Sequence, residues 1–188
     1  MSLSINHTTN RITQDGLGYW KDNLGPIILP ATGGTIPTWT QMQNNFWGYA
    51  FQLGDRCWFS FHIGHDYLPG SDIYFHTHWT TNGTSTNSVK WEVNYTIAKG
   101  HNQSAFSGTG TTITIEQAAS GTAWRHMISE SAAITSAEIE PDSLMLVHLT
   151  RITNGATENG DTVFLHQADL HYQASYLGTK NRNPNFYS

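Results

Sequence analysis

His76 and His78 stand two residues apart in Ile73-Tyr74-Phe75-His76-Thr77-His78-Trp79, so on an extended strand both imidazoles leave the same face. Two neutral imidazoles at that spacing suit a single zinc, iron or copper ion. A second group lies near the C-terminus, where Asp169, His171 and Gln173 alternate with Ala168, Leu170 and Tyr172. If the two segments are neighbours, His76, His78, Asp169 and His171 converge. His65, beside Asp66 in the loop that feeds the first segment, is a further candidate ligand. The same residue types also build hydrogen-bonded polar surfaces, and histidines at a subunit interface change charge near neutral pH. Metal site, structural network and pH-responsive interface all remain open on the residues alone.

The chain has ten histidines, yet the common catalytic signatures are missing. There is no Gly-x-Ser-x-Gly elbow, phosphate-binding glycine loop, paired-cysteine zinc pattern or His-Glu-x-x-His. Glycoside hydrolysis needs two placed carboxylates. Only Asp66, Asp72, Glu92 and Asp169 fall in or beside strong strand patterns, and nothing singles out a pair. No catalytic or cofactor-binding residue is assigned, and the reading is of a protein that is not an enzyme. The single cysteine, Cys57, excludes an internal disulfide. Its neighbours Trp58 and Phe59 make it a buried structural thiol, in a chain made in a reducing cytoplasm.

The elements that must position these residues are strands. Period-two alternation runs from about residue 46 onward. Phe46–Leu53 and Cys57–Ile63 flank Gly54-Asp55, a hairpin signal. Ser71–Thr80 places Ile73, Phe75, Thr77 and Trp79 opposite the two histidines. Trp91, Val93, Tyr95 and Ile97 define the next strand, and Thr111–Glu116, Ala123–Ile128, Ser143–Thr153 and Thr162–Tyr176 follow. Gln117–Ser120 and Ser131–Glu140 read as short helical turns. So many half-apolar strands need a partner layer. The expected fold is all-β, an antiparallel, jelly-roll-like β-sandwich over residues 46–176. Residues 1–45 and 177–188 read as irregular arms, and the whole as one domain. Most of the seven tryptophans are expected in the core. Trp20, Trp39, Phe186 and Tyr187 are candidate interface anchors in the arms.

Composition narrows the partners. Only 12% of the residues are charged and the net charge is −5, against about 25% charged in an ordinary globular chain. The basic residues are scattered, which argues against nucleic-acid binding. No apolar run approaches the ~20 residues of a membrane helix, and the N-terminal segment has no signal-peptide pattern. Abundant Thr, Ser, Asn and Gln with 12% aromatics suit broad assembly surfaces.

Gly70-x5-His76-x-His78 resembles the opening of the first motif of the cupins, jelly-roll proteins many of which hold a metal through histidines and a glutamate. Where that family places its glutamate this chain has Asn82 and Gly83, and no second motif is found around Pro141 and His148. A broader resemblance rests on two blocks. His65-Asp66-Tyr67-Leu68-Pro69-Gly70-Ser71-Asp72-Ile73-Tyr74-Phe75-His76-Thr77-His78-Trp79 is one. Asp169-Leu170-His171-Tyr172-Gln173, with Leu177-Gly178-Thr179-Lys180 and Asn185-Phe186-Tyr187, is the other. Together they resemble proteins encoded by tailed bacteriophages and prophages and described as virion-associated; Tyr19-Trp20-Lys21-Asp22 is a weaker third match. The resemblance implies a virion structural protein with no assigned activity or cofactor, a head decoration or tail component. Self-association, with a trimer favoured, and contact with the major capsid protein or tail proteins are the expected partnerships. Two alternatives stand beside it: a cupin-like metal-dependent enzyme using His76 and His78, and a carbohydrate-binding module that meets a host surface glycan through exposed Trp and Tyr.

Overall fold

The computed structural model describes residues 3–6, 11–14, 18–30, 35–135, 137–175 and 178–188. Tyr176 and Leu177, at the expected junction of last strand and tail, lie outside them. Among the described residues twelve strands form: β1 (Leu3–Asn6), β2 (Arg11–Gln14), β3 (Tyr19–Gly25), β4 (Thr38–Gln43), β5 (Phe46–Phe51) and β6 (Arg56–His62), then β7 (Ile73–Thr81), β8 (Ser88–Ala98), β9 (Thr111–Ala118), β10 (Met127–Glu130), β11 (Leu144–Ile152) and β12 (Val163–Ala174). All pairings are antiparallel. A six-stranded sheet runs β10-β7-β12-β5-β4, with β3 also paired to β12, and a four-stranded sheet runs β6-β11-β8-β9. Among the described residues β1 and β2 pair only with each other. The protein is thus an all-β sandwich. Among the described residues there is no helix, so Gln117–Ser120 and Ser131–Glu140 are not helical turns. Gln117 and Ala118 instead end β9, and Ile134 bridges back to Ile73.

Alternation builds the core as the pattern requires. Ile73, Phe75 and Trp79 from β7 meet Phe59 and Phe61 from β6, Trp91 and Val93 from β8, and Met145, Val147 and Leu149 from β11. Trp79 and Trp91 are fully buried. Each such ring system removes about 150–250 Å² from water, an upper bound of about 4–6 kcal/mol at about 25 cal/mol per Å². Cys57 is fully buried among them, as expected. The other tryptophans depart from the expectation: Trp20, Trp39 and Trp47 are about half exposed, and Trp58 and Trp124 are half-buried.

Two other expectations are corrected. β5 and β6 do not form a hairpin across Gly54-Asp55; they belong to different sheets. The link turns through Gly54 at φ 87°. It is clasped by Arg151, whose backbone pairs with Gly54 and Asp55 and whose buried guanidinium donates to the carbonyls of Phe51 and Asn159. Residues 1–45 are also not wholly irregular, because β3 and β4 extend the large sheet. Gly25 ends β3 where a Cβ would lie 2.4 Å from the Phe61 ring, so the two sheets approach there only because no side chain intervenes.

The C-terminal tail has no strand but folds back on the body. The amides of Lys180 and Asn181 donate to the Phe186 carbonyl, and Tyr187 Oη donates to the Tyr67 carbonyl at 2.7 Å. That loop drives Phe186 inward to 3% exposure. Phe186 therefore packs within its own chain and does not present itself to a neighbour, while Tyr187 is half-buried beside it.

Candidate functional site

β7 and β12 are neighbours, with Asp169 opposite His76 and His171 opposite Tyr74. A one-residue register shift between Leu165 and Gln167 decides which way the acid points. Before it Val163 and Leu165 face the core; after it Ala168, Leu170 and Tyr172 do. The extra residue of this bulge changes the parity of the strand. Asp169 and His171 therefore emerge on the outer face of the large sheet, the face that carries His76 and His78. The cluster lies outside the sandwich, with the core residues of β7 on the other side of the strand. A cupin-like site would need these histidines to face the interior.

The cluster is an extended network. Asp169 is 1% exposed, and its Oδ2 accepts from His78 Nε2 at 2.5 Å. Its Oδ1 lies 3.2 Å from His76 Nδ1, within ion-pair distance but out of hydrogen-bond alignment, so this buried oxygen has no hydrogen-bond partner. His76 Nε2 donates to Glu130 Oε2 at 2.8 Å and lies 3.3 Å from His171 Nδ1. His78 Nδ1 meets His126 Nε2 at 3.0 Å. Since His78 Nε2–H serves Asp169, neutral His78 accepts there and His126 donates. His166, the bulge residue, meets Thr80 Oγ1 at 3.0 Å. Trp20, on β3, packs its ring 4.6 Å from that of His171.

Electrostatics follow the geometry. Desolvation is the largest single influence on both central groups, and in both it opposes charge. For His76, the facing carboxylates of Asp169 and Glu130 outweigh it and raise the imidazole above its ordinary pKa. For Asp169, the facing imidazoles of His76 and His78 hold the carboxyl below the ordinary carboxylate range. His126 and His166 are lowered, first by desolvation and then by neighbouring imidazoles.

Among the described residues, His76, His78 and Asp169 form one donor set with ligand atoms within 4.8 Å of one another, and Asp22, His76 and His171 form a second. All four candidate ligands of the two strands are thus brought together. His65 is not among them. It sits in a second cluster, with Nδ1 2.6 Å from Thr179 Oγ1 and Nε2 3.1 Å from Asp142 Oδ1. Asp142 also faces His62 at 3.1 Å and His101 at 2.8 Å. Desolvation would raise its carboxyl, but the hydrogen bond from His101 and the charges of His65 and His62 pull it below the ordinary range. The rings of His65 and His101 flank Phe186 at 5.5 and 6.0 Å, so this cluster holds the tail.

Sequence reasoning missed Glu130 and Asp22. Glu130 stands opposite His76 because β10 pairs with β7, and Asp22 stands opposite His171 because β3 pairs with β12. Glu130 ends a short strand, and Asp22 lies in a segment read as irregular. Tyr19–Gly25 has no clean period-two alternation that would have marked it as a strand. Comparison with protein-family models gives no match to this chain, and comparison with curated proteins gives none either.

Proposed function

We propose that this chain is a structural component of a tailed-phage particle that acts by self-association. The carrying observation is where the five most exposed large apolar side chains among the described residues lie. Trp20, Leu24, Trp39, Phe46 and Trp47 are each between 49% and 69% exposed, and all belong to β3, β4 and β5. β4 is the edge of the large sheet, and the Trp39 ring packs tilted against that of Tyr49 there at 4.7 Å. Aromatic side chains beside a sheet edge suit an interface between copies, where they supply contact area at little entropic cost. With 12% charged residues, such contacts depend little on ionic strength.

The strand order supports the jelly-roll reading of the sandwich. β5, β12, β7 and β10 share one sheet and β6, β11, β8 and β9 the other, so every step in sequence from β5 to β12 except β8 to β9 crosses between the sheets. A compact sandwich of this kind fits a decoration or tail-associated subunit. The test is native mass spectrometry of the purified chain with a Trp39→Ser/Trp47→Ser variant alongside. The expected result is a trimer that the variant dissociates, and antibody labelling of purified particles that finds the chain on the virion. A wild-type monomer at high micromolar concentration overturns the assembly reading.

A further inference from the structure

The two donor sets share His76 but are not equivalent. On its Nδ1 side lie Asp169 and His78, whose Oδ2 and Nε2 are 2.5 Å apart. Two ligands of one tetrahedral ion, with bonds of about 2.0–2.1 Å, stand about 3.3 Å apart. That pair is thus a hydrogen bond, too close for two ligands of one ion. On the Nε2 side two of the three separations suit an ion, and the third, the His76–Glu130 hydrogen bond, opens on an exposed side chain when the ion displaces its proton. Glu130 Oε2 is 2.8 Å from His76 Nε2, His171 Nδ1 is 3.3 Å from it, and His171 Nδ1 is 4.0 Å from Glu130 Oε2. Asp22 offers an oxygen within 4.8 Å of both imidazoles. The Glu130 side chain is 54% exposed, so an ion can enter and keep a water or an outside ligand.

A separate observation points to the same place. Asp169 Oδ1 is buried without a hydrogen-bond partner and lies 3.2 Å from His76 Nδ1. A carboxylate behind an imidazole is the arrangement that orients a metal-ligating histidine and raises its basicity. A small ring rotation aligns the two, and leaves Nε2 as the ligand atom facing Glu130 and His171.

We propose that His76 Nε2, His171 Nδ1 and Glu130, completed by Asp22, bind one divalent transition-metal ion on the outer face of the large sheet, with Asp169 as the positioning residue for His76. Two imidazoles with carboxylates select ions of the zinc class over calcium and magnesium, which take oxygen ligands. The site does not depend on the assembly reading, because every ligand comes from one chain.

Zinc chloride titrated into the full chain by calorimetry, with cobalt(II) as a visible-absorption probe, tests this. The expected result is one ion per chain. Glu130→Gln and His171→Gln should each weaken binding about tenfold or more, and the double variant should abolish it. His78→Gln should retain stoichiometric binding. Asp169→Asn should weaken binding by about 10–100-fold while leaving the cobalt spectrum that of the wild type, a combination that mere unfolding does not produce. Glu130 is exposed and His171 half-buried, and melting curves of the variants are recorded alongside to separate lost binding from lost folding. The proposal is overturned if the wild type shows no saturable stoichiometric binding, or if binding survives the double variant. It is equally overturned if His78→Gln loses the ion while the double variant keeps it, since that would place the ion on the buried set.

Discussion

Replacing Asp169 with asparagine in the presence of a chelator isolates what the buried carboxylate contributes through protons alone. Asp169 is almost fully buried and faces two imidazoles, one through a 2.5 Å hydrogen bond and one at 3.2 Å. A carboxylate turns an acceptor oxygen toward both; a carboxamide must turn its NH2 toward one of them, donor against donor. At least one charge-assisted hydrogen bond is lost, worth about 1.5–3 kcal/mol. In a chain of this length each kcal/mol moves the melting temperature by about 2–4 °C, so the variant should melt about 3–12 °C lower.

The deficit should also depend on pH in a defined direction. Asp169 titrates below its ordinary value in the folded state. Its contribution is complete above the unfolded pKa of about 3.9 and is lost as pH falls through the lower folded value. His76 titrates above its ordinary value. Its contribution is complete below the unfolded pKa of about 6.5 and is lost as pH rises through the higher folded value. Both contributions are complete only between those limits, so the deficit should be largest between about pH 4 and 6.5 and shrink on either side. Scanning calorimetry of both proteins from pH 3 to 9 measures it. A deficit under about 1 °C at pH 5.5, or one that is flat across the range, refutes the paired buried carboxylate.

Asp142→Asn should loosen the tail without unfolding the core, because Asp142 fixes His65 and His101 on either side of Phe186. Hydrogen exchange at residues 178–188 should rise in the variant, and in the wild type as pH falls below the ordinary carboxylate range, since the Asp142 contribution is complete above about 3.9 and lost below it. Unchanged exchange would separate the tail from this cluster. Cys57 is fully buried and desolvation pushes its thiol well above the ordinary range. It should resist a thiol-reactive dye in the native protein and react fully in denaturant; rapid native labelling would contradict that burial.

The strands of the core were legible because burial on one face imposes alternation, as in Ile73, Phe75, Thr77 and Trp79 of β7. Their sheet membership was not. Gly54-Asp55 has hairpin chemistry, yet the chain there crosses between layers, because β12 and β11 offer pairing edges far away in sequence. The short, polar β3 and β4 carry weak local patterns, and their strand form comes from pairing with β12 and β5. The site was half legible for the same reason. His76 with His78, and Asp169 with His171, each announce a shared face through local spacing. Glu130 and Asp22 reach the cluster only by cross-strand register.

Residue types and spacing by themselves determined an all-β chain with a buried thiol and two polar strand faces of metal-ligand chemistry. Tertiary structure alone decided that these faces meet, that they meet outside the sandwich, and that His65 joins a different cluster with Asp142. The physical reason is that side-chain direction follows from two-residue periodicity within a strand, whereas neighbours across a sheet are set by hydrogen-bond pairing between distant segments. A one-residue bulge in β12 reverses the parity inherited from Val163 and Leu165, and so turns Asp169 and His171 toward the histidines of β7.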